Sequence, residues 1–210
     1  MSDTSLARRA MVDSQLRPEA VTDRGVLAAM GSVERERFVP DRYKSLAYFD
    51  RPLPIGSGRT MMPPAALGRL LSELAPVAGE RALVVGSGSG YSAALLGAIG
   101  LDVTALESDK ALGEAADQAG VATKVGDLAR GWAAGAPYDL ILIDGAVEEI
   151  PAALTKQLAP GGRCAGALVD RGVTRLVVGR VSGGALGLAT ISDADVAVLP
   201  GFARARVFTF

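Results

Sequence analysis

The stretch best equipped for chemistry is "ALVVGSGSGYSAALLGAIG", in which Gly86, Gly88 and Gly90 alternate between an apolar run and a segment of small residues suited to a helix. Glycines let a backbone approach a ligand closely, and the N–H groups that open the next helix form the positive end of its dipole. Three alternating glycines exceed what a plain strand-to-helix turn requires. Their spacing selects among ligands. A dinucleotide fingerprint asks for G-x-G-x-x-G, and its third glycine position is Tyr91 here, which argues against NAD. A Walker loop asks for Gly-Lys-Ser/Thr, and "GYS" supplies no lysine. A nucleoside that carries a carboxylate and no phosphate, S-adenosylmethionine, suits the pattern better.

The cofactor-binding residues expected on that reading are Gly86, Ser87, Gly88, Gly90 and Tyr91, with the ends of the next two strands. Glu107 closes "LDVTALE", followed by Ser108, at roughly the 20-residue offset of a carboxylate that accepts from ribose hydroxyls. Gly126, Asp127 and Leu128 end the third strand. Asp127 there is placed either for the adenine amino group or as the cap of the next helical turn. Asp144 ends "LILID" at the carboxyl edge, where open α/β sheets bind ligands. Three roles are open to it: orienting the sulfonium, serving as base for a hydroxyl or amine acceptor, or capping a helix. Asp170 is a second carboxylate for a magnesium site, but Arg171 follows where another oxygen would be wanted, so no metal is expected.

Other chemistry is removed by composition. The chain has no histidine, which excludes imidazole bases, Ser-His and Cys-His pairs and most transition-metal sites. Cys164 is the lone cysteine and lies in the apolar run "GGRCAGALV", so it reads as a core thiol. A net charge of −1 with scattered arginines disfavours a broad nucleic-acid face.

These residues need elements to hold them. From residue 79 onward, "RALVVG", "LDVTALE", "VATKV", "YDLILIDG" and "GGRCAGALV" are short apolar runs separated by helix-compatible segments. That alternation predicts parallel strands with helical crossovers, a Rossmann-like α/β sheet. The tail, "TRLVVGRV", "ALGLATI", "ADVAVL" and "ARVFTF", has no helical spacer and predicts antiparallel strands that close a seven-stranded sheet at its edge. Before residue 79 the chain predicts helices after Ser2 or Asp3, after Thr22 with an apolar stripe at Leu27, Met30 and Val33, and over Pro64 to Leu74. "FVPDRYKSLAYFDRPLPIGSG" between them reads as ordered but irregular.

The 210 residues predict one domain, with 1–78 as a helical extension and substrate loop and 79–210 as the cofactor-binding core. No run reaches the roughly 18 apolar residues of a membrane span, and the amino end lacks an apolar leader, so the expectation is a cytoplasmic protein without membrane contact.

Taken together, "MVDSQLRPEAVTDRGVLAAMGSVERERFVP", "LAYFDRPLPIGSGRT", "VVGSGSGYSAALL", "APYDLILIDGAVEEIP" and "QLAPGGR" make the chain resemble the protein-L-isoaspartate O-methyltransferases, a branch of the Rossmann-like S-adenosylmethionine-dependent methyltransferases. The first two stretches are the specific ones. The resemblance implies methyl transfer from S-adenosylmethionine, leaving S-adenosylhomocysteine, to the isoaspartyl carboxylate of a damaged protein or peptide. It also implies that Gly86, Gly88 and Gly90 hold the cofactor with Glu107 on the ribose and Asp127 at the adenine, and that the 56–64 loop, "GSGRTMMPP", lies over the transferred methyl group, which puts Arg59, Thr60 and Met62 at the active site; Asp144 is added to them by its strand-end position.

The loop departs from the family's usual Gly-Gln-Thr-Ile-Ser followed shortly by proline. Arg59 stands at the glutamine and Met62 at the active-site serine, while Thr60 matches. Val84 replaces an acidic residue of the first cofactor strand, and Asp144 replaces an uncharged one. Arg59 is a forked donor for a carboxylate. Two alternatives follow from these departures: a relative that methylates a different peptide or small molecule, and a cofactor-binding protein without transfer activity.

Overall fold

The computed structural model describes residues 3–202. The chain opens with α1 (Asp3–Met11), which runs into a π-helical turn at Val12–Leu16, and continues to α2 (Arg24–Ser32). Asp23 caps α2 by accepting from Val26 N at 2.9 Å, which satisfies one of the donors a helix start leaves free. Val26, Ala29 and Met30 form its buried face, with Leu27 and Val33 packed alongside.

The segment expected to be irregular is partly regular. Short 3-10 turns cover Arg35–Phe38 and Asp41–Leu46, and β1 (Leu53–Gly56) pairs antiparallel with β2 (Arg59–Met61). This hairpin turns through Ser57 and Gly58 at φ 49° and 69°, the positive pair that matches the twist of two tightly joined strands. Serine at the first of these positions kept the segment from reading as a hairpin. α3 (Pro64–Leu74) follows, with proline in its first turn, where a missing N–H costs nothing. Asp50 Oδ1 takes the Ala65 N–H at 2.9 Å and so ties the helix start to the preceding loop.

The remaining elements are β3 (Arg81–Val85), α4 (Tyr91–Ile99), β4 (Asp102–Glu107), α5 (Lys110–Gln118), β5 (Thr123–Val125), β6 (Tyr138–Val147), α6 (Ala152–Thr155), β7 (Leu158–Asp170), β8 (Val173–Ser182) and β9 (Ala185–Asp193). They form one seven-stranded sheet in the order β5-β4-β3-β6-β7-β8-β9. The pairings from β5 across to β7 are parallel, and β8 and β9 are added antiparallel, as the alternation predicts.

Strand residues alternate between two cores. Ala82, Val84, Leu140 and Leu142 face the cluster that holds Met11, Leu16, Met30 and Leu70, so the N-terminal helices share a core with the sheet. Leu83, Val85, Ile141 and Ile143 face a second cluster with Leu128, Leu154, Leu199 and Phe202. Burial on both faces explains why these strands are continuously apolar in sequence. Cys164 is part of the second cluster, and burial pushes its thiol up to about 12.

One expected strand is not there. "ADVAVL" (194–199) makes only an isolated parallel bridge, Ala146 with Val198. The segment crosses β6 near its carboxyl end instead of extending the sheet edge, with Ala146 N donating to Ala197 O and Leu199 N to Ala146 O, both at 2.8 Å. "ARVFTF" (205–210) lies outside the described residues. Among the described residues no helix is long and apolar enough to cross a membrane.

Candidate active site

From β3 the sheet is built outward to β4 and β5 on one side and to β6 and β7 on the other, so the carboxyl ends of β3 and β6 flank a topological switch point. Ligands of open α/β sheets bind in that crevice. Gly86 leaves β3 there, Glu107 ends neighbouring β4, and Asp144 lies near the end of β6. The β1–β2 hairpin brings Arg59 and Thr60 to the same place, and Met62 follows directly.

The glycine loop is folded against β4, with Gly86 N and Ser87 N both donating to Leu106 O at 2.9 and 3.0 Å. Gly86 and Gly88 have φ of 74° and 55°, and each is closely approached. A Cβ at Gly88 would lie 2.6 Å from Ile55 Cδ1, and one at Gly86 would lie 2.9 Å from Leu199 Cδ1 and 3.2 Å from Arg59 Nη2. Side chains of this protein therefore fill the space that the glycines leave.

Glu107 is fully buried. Its Oε2 accepts from Gly88 N at 2.8 Å, and its Oε1 accepts from Ser108 N at 2.8 Å, Asp109 N at 3.2 Å and Ser108 Oγ at 3.2 Å. The charge is balanced by Arg59, whose Nη1 donates to Oε1 at 2.9 Å while its Nη2 donates to Gly86 O at 3.1 Å. Such a partner and such hydrogen bonds offset the cost of burying a charge. Arg59 thus pairs with a carboxylate, as its forked shape allows, and the carboxylate belongs to the chain itself.

Asp144 accepts from Ser92 Oγ in the first turn of α4. Burial pushes its carboxyl above the ordinary 3.8, and the Ser92 hydrogen bond with the charges of Arg59 and Arg35 pulls the other way. Arg35, wholly buried, fastens the loop from behind: Nη2 donates to Met62 O at 2.6 Å, Nε donates to Ala47 O at 2.8 Å, and the guanidinium lies 4.7 Å from the centre of the Tyr91 ring.

Arg59, Thr60, Met62 and Asp144 converge on one small cavity of about 10 Å³, closed on its other side by Gly145 and Leu199. That is room for about one water molecule. A groove of about 550 Å³ between α2 and α4 is lined by none of the predicted site residues and lies away from this chemistry.

The other predicted residues take varied places. Asp127 is exposed and accepts from Ala129 N at 2.9 Å, the capping geometry, with an ion pair to Arg130. Gly126 N donates to Glu107 O at 2.9 Å, and Leu128 is buried in the second core. Tyr91 is buried against Phe38, ring centres 5.6 Å apart. Asp170 pairs with Arg175 at 3.4 Å. Sequence reasoning missed Ile55, Ser92, Arg35 and Leu199. The first three carried no local signal, and Leu199 looked like part of a strand.

The donor set suits S-adenosylmethionine. A strand-end carboxylate is held by backbone N–H groups, a glycine loop opens a helix, and Ser87 Oγ is buried there without a partner. The space beside these groups, however, is taken by Arg59 and Leu199.

Known proteins resemble this chain in sequence and in fold. The sequence profile described as Protein-L-isoaspartate(D-aspartate) O-methyltransferase matches residues 7–171. The protein-L-isoaspartate O-methyltransferase of Methylorubrum populi is 43% identical over 166 residues, 76% of this chain and 78% of that protein. Among solved structures, a protein-L-isoaspartate O-methyltransferase superposes with a TM-score of 0.82 at 23% identity, over 92% of this chain and 66% of that one. One from Plasmodium falciparum, described as putative and in complex with S-adenosyl-L-homocysteine, gives 0.77 at 19% identity over 95% and 99%. The two structures show the shared fold.

Proposed function

The chain belongs to the protein-L-isoaspartate O-methyltransferase family, and we propose that the cavity bounded by Arg59, Thr60, Met62 and Asp144 is where it carries out that family's reaction. It is an S-adenosylmethionine-dependent O-methyltransferase that esterifies the carboxylate of L-isoaspartyl residues in damaged proteins or peptides. S-adenosylmethionine supplies an electrophilic methyl group on a sulfonium centre. A carboxylate acceptor is already ionised at neutral pH, because free carboxyl groups titrate near pH 4. The lack of histidine is therefore no obstacle, and the protein's part is alignment, which can contribute about 7 to 11 kcal/mol toward a barrier.

The observation that carries the assignment of roles is the convergence of the β1–β2 hairpin on the carboxyl ends of β3, β4 and β6. On this reading Glu107, oriented by Gly88 N and Ser108 N, holds the ribose hydroxyls, and the 86–90 loop receives the rest of the cofactor. Arg59 is the guanidinium at the cavity and orients the acceptor carboxylate once it is free of Glu107. Thr60 and Met62 form the wall on the acceptor side. The test is product analysis: an isoaspartyl peptide incubated with the protein and S-adenosylmethionine should yield a base-labile methyl ester, and an unmodified peptide would contradict the assignment.

Met62 at the wall and a carboxyl at Asp144 favour one second reading, a hydroxyl or amine acceptor with Asp144 as its base. Such an acceptor needs a base where a carboxylate does not. Asp144→Asn separates the two, because it would abolish transfer to a hydroxyl or amine and spare most transfer to a carboxylate.

A further inference from the structure

We propose that Arg59 and Leu199 form a latch across the cofactor cradle, closed in this structure, which S-adenosylmethionine must open in order to bind. The inference rests on the reading of the 86–90 loop and Glu107 as the cofactor site. Two unrelated parts of the chain meet there. Arg59, from β2, occupies Glu107 Oε1 and Gly86 O at 2.9 and 3.1 Å, taking the carboxylate that the ribose hydroxyls would use. Leu199, from the segment after β9, lies over both sides of the switch point: a Cβ at Gly86 would be 2.9 Å from it, and one at Gly145 would be 2.5 Å from it. With Arg59 on the Glu107 carboxylate and on Gly86 O, and Leu199 packed against Gly86, side chains of the chain itself take both the polar and the steric approach to the cradle.

The latch is built so that it can leave without unravelling the sheet. Segment 194–199 is held to β6 by an isolated bridge and two backbone hydrogen bonds and to β8 by Ala194 N donating to Thr174 O at 3.0 Å, with Val196 and Leu199 buried, whereas β8 and β9 are held by long ladders. Segments with few hydrogen bonds to the rest of the fold open at lower free energy than ladder strands. Glu107 stays in place when Arg59 departs, because Gly88 N and Ser108 N still hold its two oxygens at 2.8 Å. Leu199 also lies beyond residues 7–171, the part matched by the family profile, so this half of the latch comes from outside the matched region.

The two halves can be tested separately in the intact protein. R59Q shortens the side chain and removes its charge while leaving a donor for Glu107, and L199A removes the apolar half. The probe is S-adenosylhomocysteine, with calorimetric titration for affinity, stopped-flow for rate and a thermal melt to verify folding. A ligand that binds only an open minor state has its affinity reduced by that state's population. Both variants should bind at least tenfold more tightly than wild type, and the wild-type binding rate should level off with ligand concentration at the rate of latch opening. Wild type binding as tightly as either variant, at a rate proportional to concentration, would overturn the latch and leave the methyltransferase reading intact. If all three folded proteins fail to bind, both the latch and the cofactor reading fall.

Discussion

Arg59 and Glu107, 48 residues apart, form a buried ion pair at 2.9 Å in which neither side chain is more than 9% exposed. Removing one member of such a pair leaves an uncompensated charge, which costs about 3 to 5 kcal/mol. Glu107→Ala should therefore lower the unfolding free energy by about that amount in urea titrations, and reduce affinity for S-adenosylhomocysteine by tenfold or more. An unchanged affinity would sink the ribose assignment.

Met62 is 3% exposed and lines the cavity at the position where the family usually carries a serine. Met62→Ser adds a hydroxyl and removes side-chain volume there. One added orienting hydrogen bond of about 1 to 1.5 kcal/mol corresponds to roughly a fivefold to thirteenfold gain. Turnover of an isoaspartyl peptide should rise within that range, while stability falls because a buried thioether is lost. No gain would mean that the acceptor wall is shaped for methionine.

Asp144 gives a pH signature. Because burial holds its carboxyl above 3.8, the folded protein keeps a proton over a range in which the unfolded chain has released it. In that range the native state binds more protons, so this group's contribution to stability falls as pH rises from the unfolded value through the folded one. Arg59 and Arg35 oppose the effect, and Glu107 and burial reinforce it. Asp144→Asn should accordingly gain on wild type in urea midpoint as pH is raised from about 4 toward 8. A difference that does not vary with pH would show that Asp144 titrates normally.

Arg35 ties the loop to the core through Met62 O and Ala47 O at 2.6 and 2.8 Å. Arg35→Met leaves two buried carbonyls without donors, at about 1 to 3 kcal/mol each. The expected result is a loss of about 2 to 6 kcal/mol in unfolding free energy, with kcat/KM falling by more than KM rises because the 56–64 segment is no longer fixed. A loss under about 1 kcal/mol would contradict the tethering role.

The parallel part of the fold was legible because burial on both faces makes its strands continuously apolar, and glycine marks the point where the chain must turn beneath a ligand. Glu107 and Asp144 were legible because each ends such a run. The β1–β2 hairpin was not, since Ser57 takes a positive φ that sequence preferences reserve for glycine or asparagine. The segment 194–199 has the alternation of a strand, yet tertiary contacts use it to cover the ends of β3 and β6. Arg59 was visible as a guanidinium in the loop, but its partner was set by a contact across 48 residues that no local pattern encodes.

The most direct test of the account compares transfer of labelled methyl from S-adenosylmethionine to an isoaspartyl peptide and to the same sequence with ordinary aspartate. The isoaspartyl methyltransferase assignment predicts label on the isoaspartyl peptide alone, at a rate that falls when Glu107 is removed. Binding of S-adenosylmethionine with no label on the isoaspartyl peptide would contradict it.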